Sequence, residues 1–192
     1  EEPGLGVTVD AMIYNGRLSV DDTILLAGRS GVISTRVRAL LLPKPLDEIR
    51  DPRDKFTHAD FVDAAAGVKI AAPGLDDAIA GSPLYAAGDP SMRKDLEKKI
   101  LDEVETVKVS TDLNGVIVKA DALGSLEALT TSLAASQIPV RLADVGDVSR
   151  RDVVEAEAVR GKDRYLAAIL CFNVKLLPDA EEEISTSGIP VF

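Results

Sequence analysis

The residues best placed for chemistry begin with Gly124-Ser125, which follow the strand-like run Gly115–Val118 and open a helical segment. Free N–H groups and the helix dipole favour phosphate at such a start, so a nucleotide cradle is the first reading to test. Its fingerprints are absent: nothing matches G-x-x-x-x-G-K-[ST] or G-x-G-x-x-G. Gly161-Lys162 is followed by Asp163 and comes after a helical segment. Helix capping is therefore the expected role of Gly124-Ser125. His58 is the only histidine, so a catalytic triad or a two-histidine metal site cannot be assembled within the chain. It falls in a polar loop and reads as a solvated residue. Cys171, within Ala168-Ile169-Leu170-Cys171-Phe172, reads as a small buried hydrophobe. Asp179, Glu181, Glu182 and Glu183 open a helical segment and complement its dipole. No catalytic, cofactor-binding or metal-binding residue is expected.

One group gives a positive signal. Arg36, Arg38, Lys44, Arg50, Arg53 and Lys55 lie close together in sequence, interleaved with Asp47, Glu48, Asp51 and Asp54. In a strand Arg36 and Arg38 share one face. Such a group is either a solvated, salt-bridged surface or a phosphate-contacting edge, which needs local positive charge and no base readout. The whole chain, with 22 basic and 32 acidic residues, carries −10. Nine basic and 14 acidic residues precede Pro90, against 13 and 18 from there on, so each part is −5. Any phosphate contact must come from a local patch.

Two kinds of element must position these residues. Up to residue 89 the pattern is strands. Val7, Val9, Ala11 and Ile13 alternate with Thr8, Asp10, Met12 and Tyr14. Asn15-Gly16 predicts a hairpin turn, with Thr23–Ala27 as the return strand. Gly28–Gly31 predicts the next turn, and alternation through Ile33–Leu41 a long third strand. A charged loop from Pro43 to Asp60 precedes further strands near Ala65–Ala71 and Pro83–Ala86. Short strands with turn signals between them suggest a closed barrel. Gly88-Asp89-Pro90 marks a break. Leu96, Ile100, Leu101 and Val104 then recur at helical spacing, a connecting helix over 90–105 with Arg93, Lys94, Lys98 and Lys99 on its other sides.

From 106 to 192 strands and helices alternate. Strands are predicted at Gly115–Val118, Val140–Val145, Ala167–Phe172 and Ile189–Phe192. Helices are predicted at Ser125–Ser136, with a serine cap, at Ser149–Arg160, stopped by Gly161, and at Asp179–Ile184. Right-handed crossovers then give a four-stranded parallel sheet covered on both faces. The chain stops in or just after a strand, as a piece of a longer protein would. A single cysteine fits a reducing cytoplasm, and no apolar run approaches the roughly 18 residues of a membrane span. Only Asn15, Asn114, Asn173 and Gln137 carry side-chain amides, a depletion that points to a thermophilic source.

Longer stretches carry a family likeness. Leu40–Asp51 with Arg53, and Ala64–Leu75, resemble segments of archaeal and eukaryotic translation initiation factor 5B. Val118-Lys119-Ala120-Asp121-Ala122-Leu123-Gly124-Ser125-Leu126-Glu127-Ala128-Leu129 is similar to that family's signature, shared with the bacterial initiation factor two. Val145–Val148 with Asp152-Val153, and Phe172–Lys175, fit it as well. The resemblance implies a second domain over 1–89, a β-barrel common to translational GTPases, and a third over 106–192, an α/β/α sandwich. It implies a monomer whose barrel contacts small-subunit ribosomal RNA and whose α/β domain sits between ribosomal subunits, with the helix from Met92 to Glu105 as hinge or transmitter. GTP and Mg²⁺ would belong to a G domain, and initiator tRNA to a C-terminal domain. The sequence is expected to lack both; for the G domain, the phosphate loop, switch motifs and Asn-Lys-x-Asp are missing. The competing class is a small-molecule- or nucleotide-binding α/β domain with a barrel appendage, supported by the Gly124-Ser125 helix start alone.

Overall fold

The structure, a computed structural model, describes residues 5–44, 56–88, 91–107 and 114–192. Two compact units divide them: residues up to Ala78 with Pro83–Leu101, and Ile79–Ser82 with Asp102–Phe192. Arg50, Arg53 and Lys55 lie outside the described residues, as does most of the charged Pro43–Asp60 segment.

The first unit is β-rich. Strands β1 (Thr8–Ile13), β5 (Ala39–Pro43), β6 (Phe56–Ala59) and β8 (Ala66–Ala71) form one sheet, in the order β1-β8-β5-β6. Strands β2 (Arg17–Ser19) and β7 (Phe61–Asp63) pair, and β3 (Thr23–Gly28) lies between β4 (Gly31–Arg36) and β9 (Leu84–Ala86). All pairings are antiparallel. The three sheets close on one core. Ile13, Leu40, Val68 and Ile70 come from the first sheet, Leu18 and Val62 from the second, and Ile24 and Leu26 from the third. Filling the inside from every sheet is what makes the unit barrel-like.

The expected β1 face holds, with Val7, Val9, Ala11 and Ile13 all packed in this core. Its partner differs. β1 runs against β8, from Thr8↔Ala71 to Ile13↔Ala66, so Asn15-Gly16 does not return the chain to Thr23–Ala27. It leads into the short β2, whose Arg17 pairs Asp63. The long third strand also breaks in two. Val37 turns its backbone to the 21–22 segment, donating to Asp22 O and accepting from Asp21 N–H, both at 2.9 Å. The Arg38 N–H turns instead to Ala71 O at 2.8 Å. That change of partners carries the chain from one sheet to another.

The helix over the break is α1 (Arg93–Val107), with Ile100 and Val104 buried. Its first part, to Leu101, belongs to the first unit, where Lys99 Nζ lies 4.8 Å from the centre of the Tyr85 ring.

The second unit is an α/β/α sandwich. Strand β10 (Val116–Ala120) is central, flanked in parallel by β11 (Val140–Val145) and β12 (Ile169–Phe172). Period two divides β10 between layers. Val116, Val118 and Ala120 meet Leu126 of helix α2 (Leu123–Ala135). Ile117 meets Val153, Ala156 and Val159 of α3 (Arg150–Arg160) and Ala180 of α4 (Pro178–Ser187). The sheet has three strands, which corrects the expected four. Val191 makes a single parallel bridge to Ile169, held by Ile169 N–H to Pro190 O at 3.0 Å and Cys171 N–H to Phe192 O at 2.7 Å. Pro190 has no N–H to extend a ladder.

The helix ends differ in detail from the sequence pattern. Helix α2 starts two residues before Ser125, with Ala122 at its N-cap. Helix α3 does start at Ser149, in a capping box: the Asp152 carboxylate accepts the Ser149 N–H and hydroxyl, each at 2.8 Å. Helix α4 has Pro178 in its first turn and ends at Gly188, whose φ of 65° is left-handed.

Candidate nucleic-acid interface

Of the six basic residues singled out in the sequence, three fall among the described residues. Arg36 ends β4 opposite Thr23 and is exposed, its Nη1 3.9 Å from Asp21 Oδ1. Arg38 is exposed in the two-residue link between β4 and β5 rather than on a strand face shared with Arg36. Lys44 follows β5 and is half-buried. Both arginines are therefore free to meet solvent or a polyanion. The Arg36–Asp21 contact is long and exposed, and such pairs contribute only about 0–1 kcal/mol.

The rival site is the start of α2, and its geometry opposes phosphate. The Leu123 N–H, which an anion would engage, already donates to Ala80 O within the same unit at 3.1 Å. Asp121 stands just before the helix, accepting Asn173 Nδ2 at 2.6 Å. That bond, then one from Ser125, holds the Asp121 carboxyl below the usual carboxylate range. An ionised carboxylate thus occupies the positive end of the helix dipole. GTP with Mg²⁺ does not fit these residues. Calorimetry of the chain with GTP and Mg²⁺ should show no saturable heat, and a micromolar site would overturn that expectation.

His58 sits on β6 opposite Leu41, exposed but on a strand rather than in a loop. Cys171 is half-buried, and burial followed by the nearby Asp152 pushes its thiol up, so it stays protonated at neutral pH. In the α4 acidic cluster, Glu183 accepts Arg150 Nε at 2.8 Å and Asp179 accepts the Arg150 N–H at 3.4 Å. No cluster of three or more metal-ligating side chains occurs among the described residues. No helix among them is long and apolar enough to cross a membrane.

Sequence reasoning missed one feature. Lys119 is 5% exposed near the end of β10, with Nζ 3.5 Å from Asp152 Oδ2 and 3.7 Å from Asp144 Oδ2. A lysine within an otherwise apolar central strand was the available signal, because a buried charge demands a counter-charge.

A small antiparallel barrel followed by an α/β/α sandwich is an architecture of translation factors. The family model "Elongation factor Tu domain 2" matches residues 6–85, and "Translation-initiation factor 2" matches residues 90–192. The chain belongs to the translation-initiation factor 2 family. It is 54% identical over its whole length to a protein of Pyrococcus furiosus named "Probable translation initiation factor IF-2", covering 20% of that relative. A protein of the same name from Aeropyrum pernix is 52% identical, again over all of this chain, with 31% of that relative covered. Among solved structures, GDP-bound aIF5B from Aeropyrum pernix superposes with a TM-score of 0.83 at 52% identity, over 98% of this chain and 32% of that one. The chain thus spans a fifth to a third of the length of these relatives.

Proposed function

We propose that this chain forms the ribosome-contacting and signal-relaying middle domains of a translation initiation GTPase that promotes subunit joining. The observation that carries the reading is the match to GDP-bound aIF5B over 98% of the chain. In this reading residues 1–89 are the barrel, 90–105 a connecting helix and 106–192 the sandwich. The barrel meets small-subunit ribosomal RNA through Arg36, Arg38, Lys44, Arg50, Arg53 and Lys55. The sandwich lies in the intersubunit space and passes on changes that start in a G domain elsewhere in the longer protein. GTP and Mg²⁺ are held there, and initiator tRNA by a C-terminal domain, so this part performs no catalysis itself. The factor works as a cytoplasmic monomer.

The test is charge reversal in the full-length factor. Arg36→Glu with Arg38→Glu should weaken cosedimentation with small subunits. It should also lower the slope of log affinity against log salt by about one unit per lost phosphate contact. Glu181→Lys with Glu182→Lys in α4 should not reproduce that loss. Unchanged binding and slope in the arginine variant would reduce these residues to a solvated face.

A further inference from the structure

The turn that follows α3 has a composition and geometry that neither the barrel nor the buried core uses. Arg160, Lys162, Arg164 and Tyr165 are all exposed, and Tyr165 is 84% so. Within residues 160–165 three cations stand against one carboxylate, Asp163, in a chain of net charge −10. That carboxylate is engaged locally, since its Oδ1 accepts the Tyr165 N–H at 2.8 Å. Among the described residues no carboxylate pairs with Arg160, Lys162 or Arg164, in contrast to Arg141 and Arg150 in the same unit, each bound to a glutamate. The backbone is also fixed: the Lys162 and Asp163 N–H groups both donate to Val159 O at 2.9 Å. Arg164 extends over the Tyr165 ring, with Cζ 5.6 Å from the ring centre.

An aromatic ring held in water costs hydrophobic free energy unless something covers it. The cations around it say which partner suits. Unpaired bases stack on exposed aromatic rings, while lysine and arginine take the adjoining phosphates. We infer that the Arg160–Tyr165 turn is a second RNA contact of this chain, on the α/β/α sandwich rather than the barrel. Tyr165 is its stacking surface for an unpaired base, and Arg160, Lys162 and Arg164 are its phosphate ligands. The inference rests on the proposed ribosomal setting only for the source of the RNA; the contact chemistry is independent of it.

Anisotropy of a labelled 12-nucleotide single-stranded RNA, titrated with the 192-residue chain at about 50 mM salt, tests this directly. Tyr165→Ala should weaken binding roughly tenfold, within the range measured for loss of one base–aromatic stack. Tyr14→Ala, at a tyrosine 76% exposed on the first unit, should leave affinity unchanged. Lys162→Ala with Arg164→Ala should lower the salt slope by about 1.4, since each single-strand phosphate contact contributes about 0.7. Circular dichroism should show all variants folded, because every altered side chain is exposed. The inference is overturned if the chain binds no RNA at this salt, if Tyr165→Ala binds like the parent, or if duplex DNA of equal length binds as tightly. Cosedimentation of the Arg36 and Arg38 variants is read separately, so failure of the barrel assignment is distinguishable from failure of this one.

Discussion

Lys119→Met should destabilise the second unit by about 3 kcal/mol or more, the cost typical of stranding one partner of a buried ion pair. The side chains of Lys119 and Asp152 are 6% and 5% exposed, so water cannot replace the missing ammonium. Asp144, at 39%, is screened by solvent and is the lesser loss. Asp152 keeps the Ser149 N–H and hydroxyl, each at 2.8 Å. These two donors hold the cost towards the lower end of the range. Removing both charges separates this account from simple loss of packing. Lys119→Met with Asp152→Asn leaves no buried ion, and the amide oxygen can still accept from Ser149. The double variant should therefore be more stable than Lys119→Met alone. Native-state hydrogen exchange of the β10 amides reads the second unit without interference from the first. A single-variant cost below about 1 kcal/mol, or a double variant no better than the single, would place the pair's value elsewhere.

This pair also shows where sequence reading succeeds and where it stops. Alternation along Val7–Ile13 identified the inward face of β1 because period two is a local property. Pairing is not local. Asn15-Gly16 has the chemistry of a hairpin turn, yet β1 found β8, more than fifty residues on, as its partner. The alternation through Ile33–Leu41 likewise passed over the switch of sheets at Val37-Arg38, because both segments place apolar residues inward. In the sandwich the order of elements was legible, since strand and helix periods differ. The start of α2 was not, because Asp121 outside the helix holds Ser125 rather than Ser125 capping it. The basic residues of the first unit were singled out by charge alone, which predicts exposure for Arg36 and Arg38 but not their positions relative to one another. Lys119 was hidden for the converse reason: its neighbours made a good apolar strand, and its counter-charges come from residues 25 and 33 positions away.

Gly115→Ala should destabilise the same unit by about 1–3 kcal/mol, towards the upper end, although it adds one methyl group. The register between β10 and β11 slips after Val116, which pairs Val140, whereas Ile117 pairs Leu142. That slip brings the backbone around Pro139 and Arg141 over Gly115. A Cβ there would lie 2.6 Å from both Pro139 O and Arg141 N, and 2.7 Å from Pro139 C. None of these is the end of a flexible side chain. Relief requires β10 and β11 to separate where the Val116 N–H bonds Pro139 O at 2.9 Å. Gly124→Ala is the matched comparison, with the same chemistry and the opposite sign. Gly124 lies within α2, and a Cβ there meets nothing within 4 Å. Alanine should therefore stabilise by up to about 0.5–1 kcal/mol, by restricting the unfolded chain and favouring the helix. Thermal unfolding of the two variants should shift in opposite directions. If both shift the same way, the close approach at Gly115 is not what holds that glycine in place, and the β10–β11 slip can absorb a side chain.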